Sequence, residues 1–247
     1  MNNSIHTTII LIPAYNEGAT IRDLAIRCLK QLDTVVVIDD GSTDDTIKQL
    51  DGLDVTILKN ESNLGKAASL WKGMNYALKL NMQNIITLDG DGQHSPEDIL
   101  RLIEAAKNNK DHLIIAARLR NIDQAPSARL KANKFADFWV SWAAGQKITD
   151  SQSGFRLYPA SLISSKALSV STKHGFVFES EIIIAAARLG FPCHTIAIDS
   201  IYHSNARASH FRPVADITRI VLMISWKLFS RGMYFQGLWA SMREKSI

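Results

Sequence analysis

The chain has little cysteine, no glycine-rich phosphate loop and no long apolar run, and each shortage excludes a class of function. Cys28 and Cys193 are the two cysteines in 247 residues. Their spacing fits neither a metal-ligand pair nor a redox motif, so they read as reduced core thiols of a cytoplasmic protein. No G-x-G-x-x-G follows the first apolar run and no G-x-x-x-x-G-K-[ST] occurs anywhere, which argues against a dinucleotide oxidoreductase and a P-loop NTPase. No apolar stretch reaches the roughly 18–20 residues needed to span a bilayer. The apolar run at residues 7–12 lacks a preceding basic region and leads straight into Pro13-Ala14-Tyr15-Asn16-Glu17, unlike a signal peptide. Low-complexity tracts, charge blocks and internal repeats are also missing, which disfavours solenoids and flexibly joined domains.

What remains is a chain with 46% hydrophobic residues, enough for one large core. Its formal charge of +4 is unevenly placed. Residues 200–247 hold seven basic side chains against two acidic ones, leaving the rest near neutral. That points to a local anionic partner rather than to nucleic acid.

Apolar strand-like runs recur at residues 8–12, 34–38, 55–58, 85–88 and 113–117, and helical spacing fills residues 20–31, 43–50, 66–80 and 96–108. This alternation predicts an α/β fold with a mostly parallel sheet covered by helices on both faces. Polar clusters at residues 13–17, 39–44 and 89–91 then fall at the carboxyl ends of three strands, where such sheets bind ligands. Asp89-Gly90-Asp91-Gly92 is the most telling of them. Two carboxylates one residue apart repel each other unless a cation intervenes, and a divalent metal bridging to a diphosphate is the economical reading. The bland alternative is a solvated turn, since Asp and Gly both favour turns. Ser95, Pro96 and Asp98 read as the N-cap, first turn and acidic N3 residue of the next helix.

Five motifs, Pro13-Ala14-Tyr15-Asn16-Glu17, the run from Val37 to Asp44, Asn63-Leu64-Gly65-Lys66, the run from Asp89 to Glu97, and Asp150-Ser151-Gln152-Ser153-Gly154-Phe155-Arg156, occur in this order. Together they resemble the family 2 inverting glycosyltransferases of the GT-A fold, in the branch of dolichol-phosphate mannose synthase and other polyprenyl-phosphate glycosyltransferases. The resemblance covers residues 7 to about 212. It implies a GT-A domain at residues 1–212 and a helical extension at 213–247, with sugar transferred from a UDP- or GDP-linked donor to a polyprenyl phosphate or related lipid. A soluble or polysaccharide hydroxyl acceptor, or nucleotide-sugar binding without turnover, are the alternatives.

The resemblance assigns roles to matching positions. Pro13, Tyr15 and Glu17 would line the base and ribose pocket, with Asp40 or its neighbour Asp39 hydrogen-bonding the nucleoside. Without a ligand, the same pair reads as acidic residues near a helix start capped by Ser42. Asp89, Asp91 and Gln93 would hold Mg²⁺ or Mn²⁺, an ion that takes oxygen ligands, while His94 orders the loop. Lys66, at a helix start, would approach a phosphate, although Ala67 replaces the glycine frequent in relatives. Arg118 would face the acceptor phosphate, followed by Arg129, Lys131 and Lys134 among Phe135, Phe138, Trp139 and Trp142. Asp150 is the acidic residue nearest the reaction centre and the first candidate base for a hydroxyl acceptor, with Glu179 and Glu181 next; a phosphate acceptor needs none. Arg156 would contact diphosphate or pair with a carboxylate. Arg212, with His203, Ser209 and His210, would close over the donor.

In the extension, Ile217, Ile220, Val221, Ile224 and Leu228 form an apolar stripe beside Arg219, Lys227 and Arg231. The stripe serves either packing on the catalytic domain or peripheral contact with the inner face of the cytoplasmic membrane, with Trp226 and Trp239 near headgroups.

Overall fold

The structure, a computed structural model, describes residues 3–120, 127–172, 175–199, 201 and 213–243. A short helix α1 (Asn3–His6) leads into β1 (Thr8–Ala14), followed by α2 (Ile21–Leu29), β2 (Val35–Asp39), β3 (Thr56–Lys59), α3 (Lys66–Lys79), β4 (Asn84–Thr87), α4 (Ile99–Asn108) and β5 (Leu113–Arg118). Beyond β5 come α5 (Ser127–Ala144), β6 (Arg156–Pro159), α6 (Ala160–Ile163), α7 (Gly175–Arg188), β7 (Cys193–Ile198), α8 (Pro213–Phe229) and α9 (Phe235–Arg243).

The strands form one sheet in the order β3-β2-β1-β4-β6-β5-β7. Every pairing is parallel except those of β6, which runs antiparallel between β4 and β5. Strand alternation explains the layering. On β1, Ile9 and Leu11 face a core shared with α3, α5, α7 and α8, while Ile10 and Ile12 face the core under α2 and α4. Central strands buried on both faces read as continuous apolar runs, which is why the expected strands at 8–12, 34–38, 85–88 and 113–117 match β1, β2, β4 and β5.

Two local expectations are corrected. Residues 43–50 form no α-helix; the one helical piece there is a single 3₁₀ turn, Lys48–Leu50. The backbone N–H groups of Thr43 and Asp44 donate instead to Oδ1 of Asn16, at 2.7 and 3.3 Å, so the first turn is drawn onto the loop after β1. Ser95 does not cap the helix that follows. Its Oγ donates to Glu97 at 2.5 Å, and a 3₁₀ turn, Pro96–Asp98, precedes α4.

α8 belongs to the main core. Ile220, Ile224 and Leu228 are buried with residues of α5 and α7, Lys227 pairs with Glu181 at 3.0 Å, and Arg188 donates to the Lys227 carbonyl at 3.0 Å. Among the described residues no helix is long and apolar enough to cross a membrane.

Candidate active site

The parallel strands deliver the ends of β1, β2 and β4 to one edge, and the reversed β6 brings the Asp150–Phe155 loop to the same edge, since Arg156 at its start pairs with Thr87 at the end of β4. The loops there are fastened to each other. The N–H of Asn16, a residue at φ 56°, donates to Ser42 Oγ (2.9 Å), and the Glu17 N–H donates to Thr46 Oγ1 (2.8 Å). Thr20 Oγ1 donates to the Gly90 carbonyl at 2.7 Å, which joins the loop after β1 to the one after β4. Pro13, Tyr15 and Glu17 are half-buried along this edge.

Asp39 and Asp40 separate into different tasks. Asp40 is held inward: Oδ1 accepts from Asn60 Nδ2 (2.8 Å) and Leu64 N (2.9 Å), and Oδ2 from Gly65 N (2.8 Å). Its carboxylate therefore fixes the 60–65 loop. The Asp39 carboxylate accepts the Ser42 N–H at 3.2 Å and is the better placed of the two to meet a nucleoside. Gly41, at φ 74°, lets these loops meet, because a Cβ there would lie 2.7 Å from the Ser62 carbonyl carbon.

At the end of β4, Lys66 Nζ lies 2.6 Å from both Asp89 Oδ1 and Glu179 Oε1. Burial opposes the charges of Lys66 and Asp89, yet their mutual attraction prevails: the lysine, which also feels the Glu179 carboxylate, is held above its ordinary range and Asp89 below its own. Asp91 moves the other way, raised first by burial and then by the Asp89 charge. The Gln93 N–H donates to Asp91 Oδ1 at 2.9 Å. His94 is buried against Phe155, ring centroids 5.5 Å apart, and desolvation lowers its pKa to about 4, so it is neutral at pH 7. Its Nδ1 has no hydrogen-bond partner.

These donors suit a hard cation. Two carboxylates and an amide oxygen at one strand end match Mg²⁺ or Mn²⁺, which retain water and substrate phosphate oxygens as further ligands. The Lys66 ammonium already places positive charge on Asp89. No group of three His, Cys, Asp or Glu side chains arranged to hold a metal ion occurs among the described residues, so a metal here would depend on Gln93, water and diphosphate to complete its shell.

Arg118 and Asp150 form the other half of the site. Arg118 Nε donates to Asp150 Oδ2 at 2.8 Å, Nη2 to Oδ1 at 2.6 Å, and its backbone N–H to Oδ2 at 2.9 Å. Burial would raise the Asp150 pKa, but the arginine outweighs it and holds the carboxylate below its usual range. Asp150 has φ 52°, a strained setting for a residue other than glycine. It is held there by Asp137 of α5, whose carboxylate accepts from the backbone N–H groups of Asp150 (2.9 Å) and Ser151 (2.8 Å). Nothing in the sequence distinguished Asp137 from an exposed helical aspartate.

Two of the expected site residues have structural partners. Arg156 is fully buried, and its guanidinium donates to the carbonyls of Ser153 (2.7 Å), Glu179 (2.7 Å) and Ser151 (2.8 Å). It shapes the loop from inside through these three carbonyls. Glu181 accepts from Ser171 N and pairs with Lys227, away from the Asp150 carboxylate, whereas Glu179 enters the site through Lys66. Lys131 and Lys134 are exposed on α5. Arg212, His203, Ser209 and His210 lie outside the described residues, as does the Arg129 side chain.

The profile described as "Glycosyl transferase family 2" matches residues 9–170. Among similar sequences is the UDP-N-acetylglucosamine–dolichyl-phosphate N-acetylglucosaminyltransferase of Methanococcus voltae, 26% identical over 90% of this chain and 93% of that protein. The polyprenol monophosphomannose synthase of Mycolicibacterium smegmatis is 28% identical over 74% of this chain and 73% of its own. Glucosyl-3-phosphoglycerate synthase from Mycobacterium tuberculosis, solved with Mn²⁺, UDP and glucosyl-3-phosphoglycerate, shares the fold with a TM-score of 0.62 at 20% identity, covering 91% of this chain and 79% of that one. With the strand-end carboxylates, the reversed β6 and a family profile spanning β1 through β6, this chain belongs to glycosyl transferase family 2, the inverting glycosyltransferases of GT-A architecture.

Proposed function

We propose that this enzyme transfers a sugar from a UDP-linked donor to a polyprenyl phosphate, inverting the anomeric centre, with Mg²⁺ or Mn²⁺ at Asp89, Asp91 and Gln93. The observation that carries the choice of acceptor is the Arg118–Asp150 pair. Both Asp150 oxygens accept from Arg118 and its proton affinity is depressed, so it is a poor general base at neutral pH. A hydroxyl acceptor needs such a base. A phosphate arrives already as an oxyanion, and an arginine is the side chain that meets it. The named activities of the M. voltae and M. smegmatis relatives, both directed at polyprenyl-type phosphates, support the same reading.

In this mechanism Pro13, Tyr15, Glu17 and Asp39 hold the nucleoside. Lys66 is within reach of the donor phosphates from the start of α3, where the helix dipole also favours negative charge. When bound, the metal supplies Lewis-acid stabilisation to the leaving diphosphate. Asp150 keeps the Arg118 guanidinium in a fixed plane, and Arg118 orients the acceptor phosphate for in-line attack on the anomeric carbon. His94, neutral and packed on Phe155, maintains the loop that carries Asp89 and Asp91.

Purified protein incubated with a panel of nucleotide sugars, with and without a short-chain polyprenyl phosphate and Mn²⁺, tests this. The expected result is UDP release that requires both phosphate acceptor and metal. Pyrophosphate release, transfer to hydroxyl acceptors alone, or full turnover in excess chelator would contradict it.

A further inference from the structure

Of the apolar stripe expected on the extension, Ile220, Ile224 and Leu228 are core while Val221 is exposed, and α8 has a second apolar side. Ile220, Ile224 and Leu228 face inward, whereas Leu222, Trp226 and Phe229, spaced i, i+4, i+7 on the opposite side, are exposed, Trp226 by 70% and Phe229 by 73%. A surface helix that is apolar on both sides has an unsatisfied outer face. The exposure continues onto neighbouring helices. Phe235, Trp239 and Met242 are exposed on α9, and Phe135 and Phe138 on α5. Rings connect α5 to α9: Phe138 to Trp142 at 6.2 Å, and Trp142 to Phe235 at 6.4 Å. Scattered exposed apolar residues are ordinary, but a surface of bulky aromatics shared by three helices marks an interaction site.

Its charge selects the occupant. The exposed charged side chains described on α5, α8, α9 and the turn between the last two are all cationic: Lys131, Lys134, Arg219, Arg231 and Arg243. Two of them lie over aromatic rings, Arg231 4.5 Å from the Tyr234 centroid and Arg243 5.1 Å from that of Trp239. The one acidic residue of α5, Asp137, is turned inward to the Asp150 loop. A second copy docking the same face would set these cations against their own kind, whereas an anionic bilayer neutralises them while taking up the rings.

We infer that the outer face of α5, α8 and α9 docks the enzyme on an anionic lipid surface. The inference extends the proposed polyprenyl-phosphate reading by giving the site an orientation. α5 carries Phe138 in this face one residue from Asp137, which holds the Asp150 loop, so the acceptor end of the site lies within about one helix diameter, roughly 10 Å, of the bilayer.

The test compares the full chain with a Trp226→Ser/Phe229→Ser/Trp239→Ser variant, whose altered side chains are exposed and outside the site. Binding is measured by co-sedimentation with phosphatidylcholine vesicles with or without about 30% phosphatidylglycerol, a range of anionic content at which basic residues add measurable attraction. Wild type should bind the anionic vesicles, more weakly as salt rises. The variant should lose at least about tenfold in partitioning, as expected for three aromatic side chains kept out of the interface, while its UDP binding and its turnover of a water-soluble short-chain phosphate acceptor stay unchanged. Failure of wild type to bind anionic vesicles at low salt, equal binding to neutral vesicles, or a solution dimer that the variant disrupts would overturn the inference. Turnover of the soluble acceptor separately tests the acceptor reading, which stands or falls whatever the vesicles show.

Discussion

Lys66 neutralises Asp89, the first carboxylate of the Asp-Gly-Asp-Gly loop, from 2.6 Å while holding Glu179 at the same distance. A divalent ion at Asp89 must therefore share that carboxylate with an ammonium group already present. Lys66→Met should tighten Mn²⁺ binding in the absence of nucleotide by several-fold, since the competing cation is gone. It should also lower stability, by roughly 1–3 kcal/mol, because Glu179 and Asp89 lose their partner in a largely desolvated setting. Mn²⁺ titration followed by electron paramagnetic resonance, together with thermal unfolding, checks both effects. Unchanged metal affinity would mean that Lys66 does not occupy the ion's electrostatic niche.

The Arg118–Asp150 pair separates orientation from proton transfer. Asp150→Asn retains an oxygen to accept from Arg118 but no basic group, so turnover with a phosphate acceptor should fall less than the roughly 10²–10⁴-fold associated with a lost general base. Arg118→Lys removes the two-pronged geometry and should raise the KM for the acceptor more than that for the donor. Steady-state kinetics with each substrate varied in turn measures this division.

The parts legible in sequence are those whose burial is uniform. β1, β2, β4 and β5 are apolar along their length, and the acidic clusters that follow β2 and β4 converge because parallel strands end together. β6 was illegible because Arg156 opens it and Pro159 closes it, so its four residues resemble a loop; only the carbonyls that receive the Arg156 guanidinium make such a strand tolerable. β7, Cys-His-Thr-Ile-Ala-Ile, is an edge strand of mixed character and half-buried for most of its length. In the site, Asp39 and Asp40 are chemically identical in sequence and differ only in what reaches them: three donors from the 60–65 loop claim Asp40. Asp137 is silent in the sequence because its partners, the Asp150 and Ser151 amides, come from a later turn whose shape no local pattern encodes. On α8 the three-and-four spacing encodes a helix, but helical spacing does not encode which of two apolar faces meets the core.

The cysteines offer a check that is independent of activity. Burial pushes the Cys28 thiol up to about 12, whereas Cys193 is only half-buried. In native protein at pH 8 an alkylating reagent should modify Cys193 well before Cys28, since thiolate and access are both required. Cys28 also bears on alkaline stability. Its folded pKa lies above the unfolded value, so the unfolded chain releases a proton first and stability declines as pH rises from about 9 toward 12. Cys28→Ala should lessen that decline, to be read from urea unfolding at pH 8 and pH 10.

Gly154 provides the sharpest test of how the reversed strand completes the site. The Gly154 carbonyl accepts from Thr87 Oγ1 at 2.8 Å, which fixes the Asp150–Phe155 loop against the end of β4. A Cβ on Gly154 would lie 2.4 Å from Asp89 Oδ2 and 2.6 Å from Oδ1, so the glycine is required by its closeness to that carboxylate. Gly154→Ala must displace Asp89, and with it both the Lys66 contact and a metal ligand. The Thr87 hydrogen bond to the main chain needs no glycine, so the fold should survive with a modest loss of stability. Turnover should fall by at least about a hundredfold, in keeping with the cost of shifting a reacting assembly by about 1 Å, and Mn²⁺ affinity should fall with it while nucleoside binding, which depends on the β1 and β2 loops, changes little. An alanine variant with normal metal affinity and turnover would show that Asp89 has room to retreat and that this contact does not set the position of the metal site.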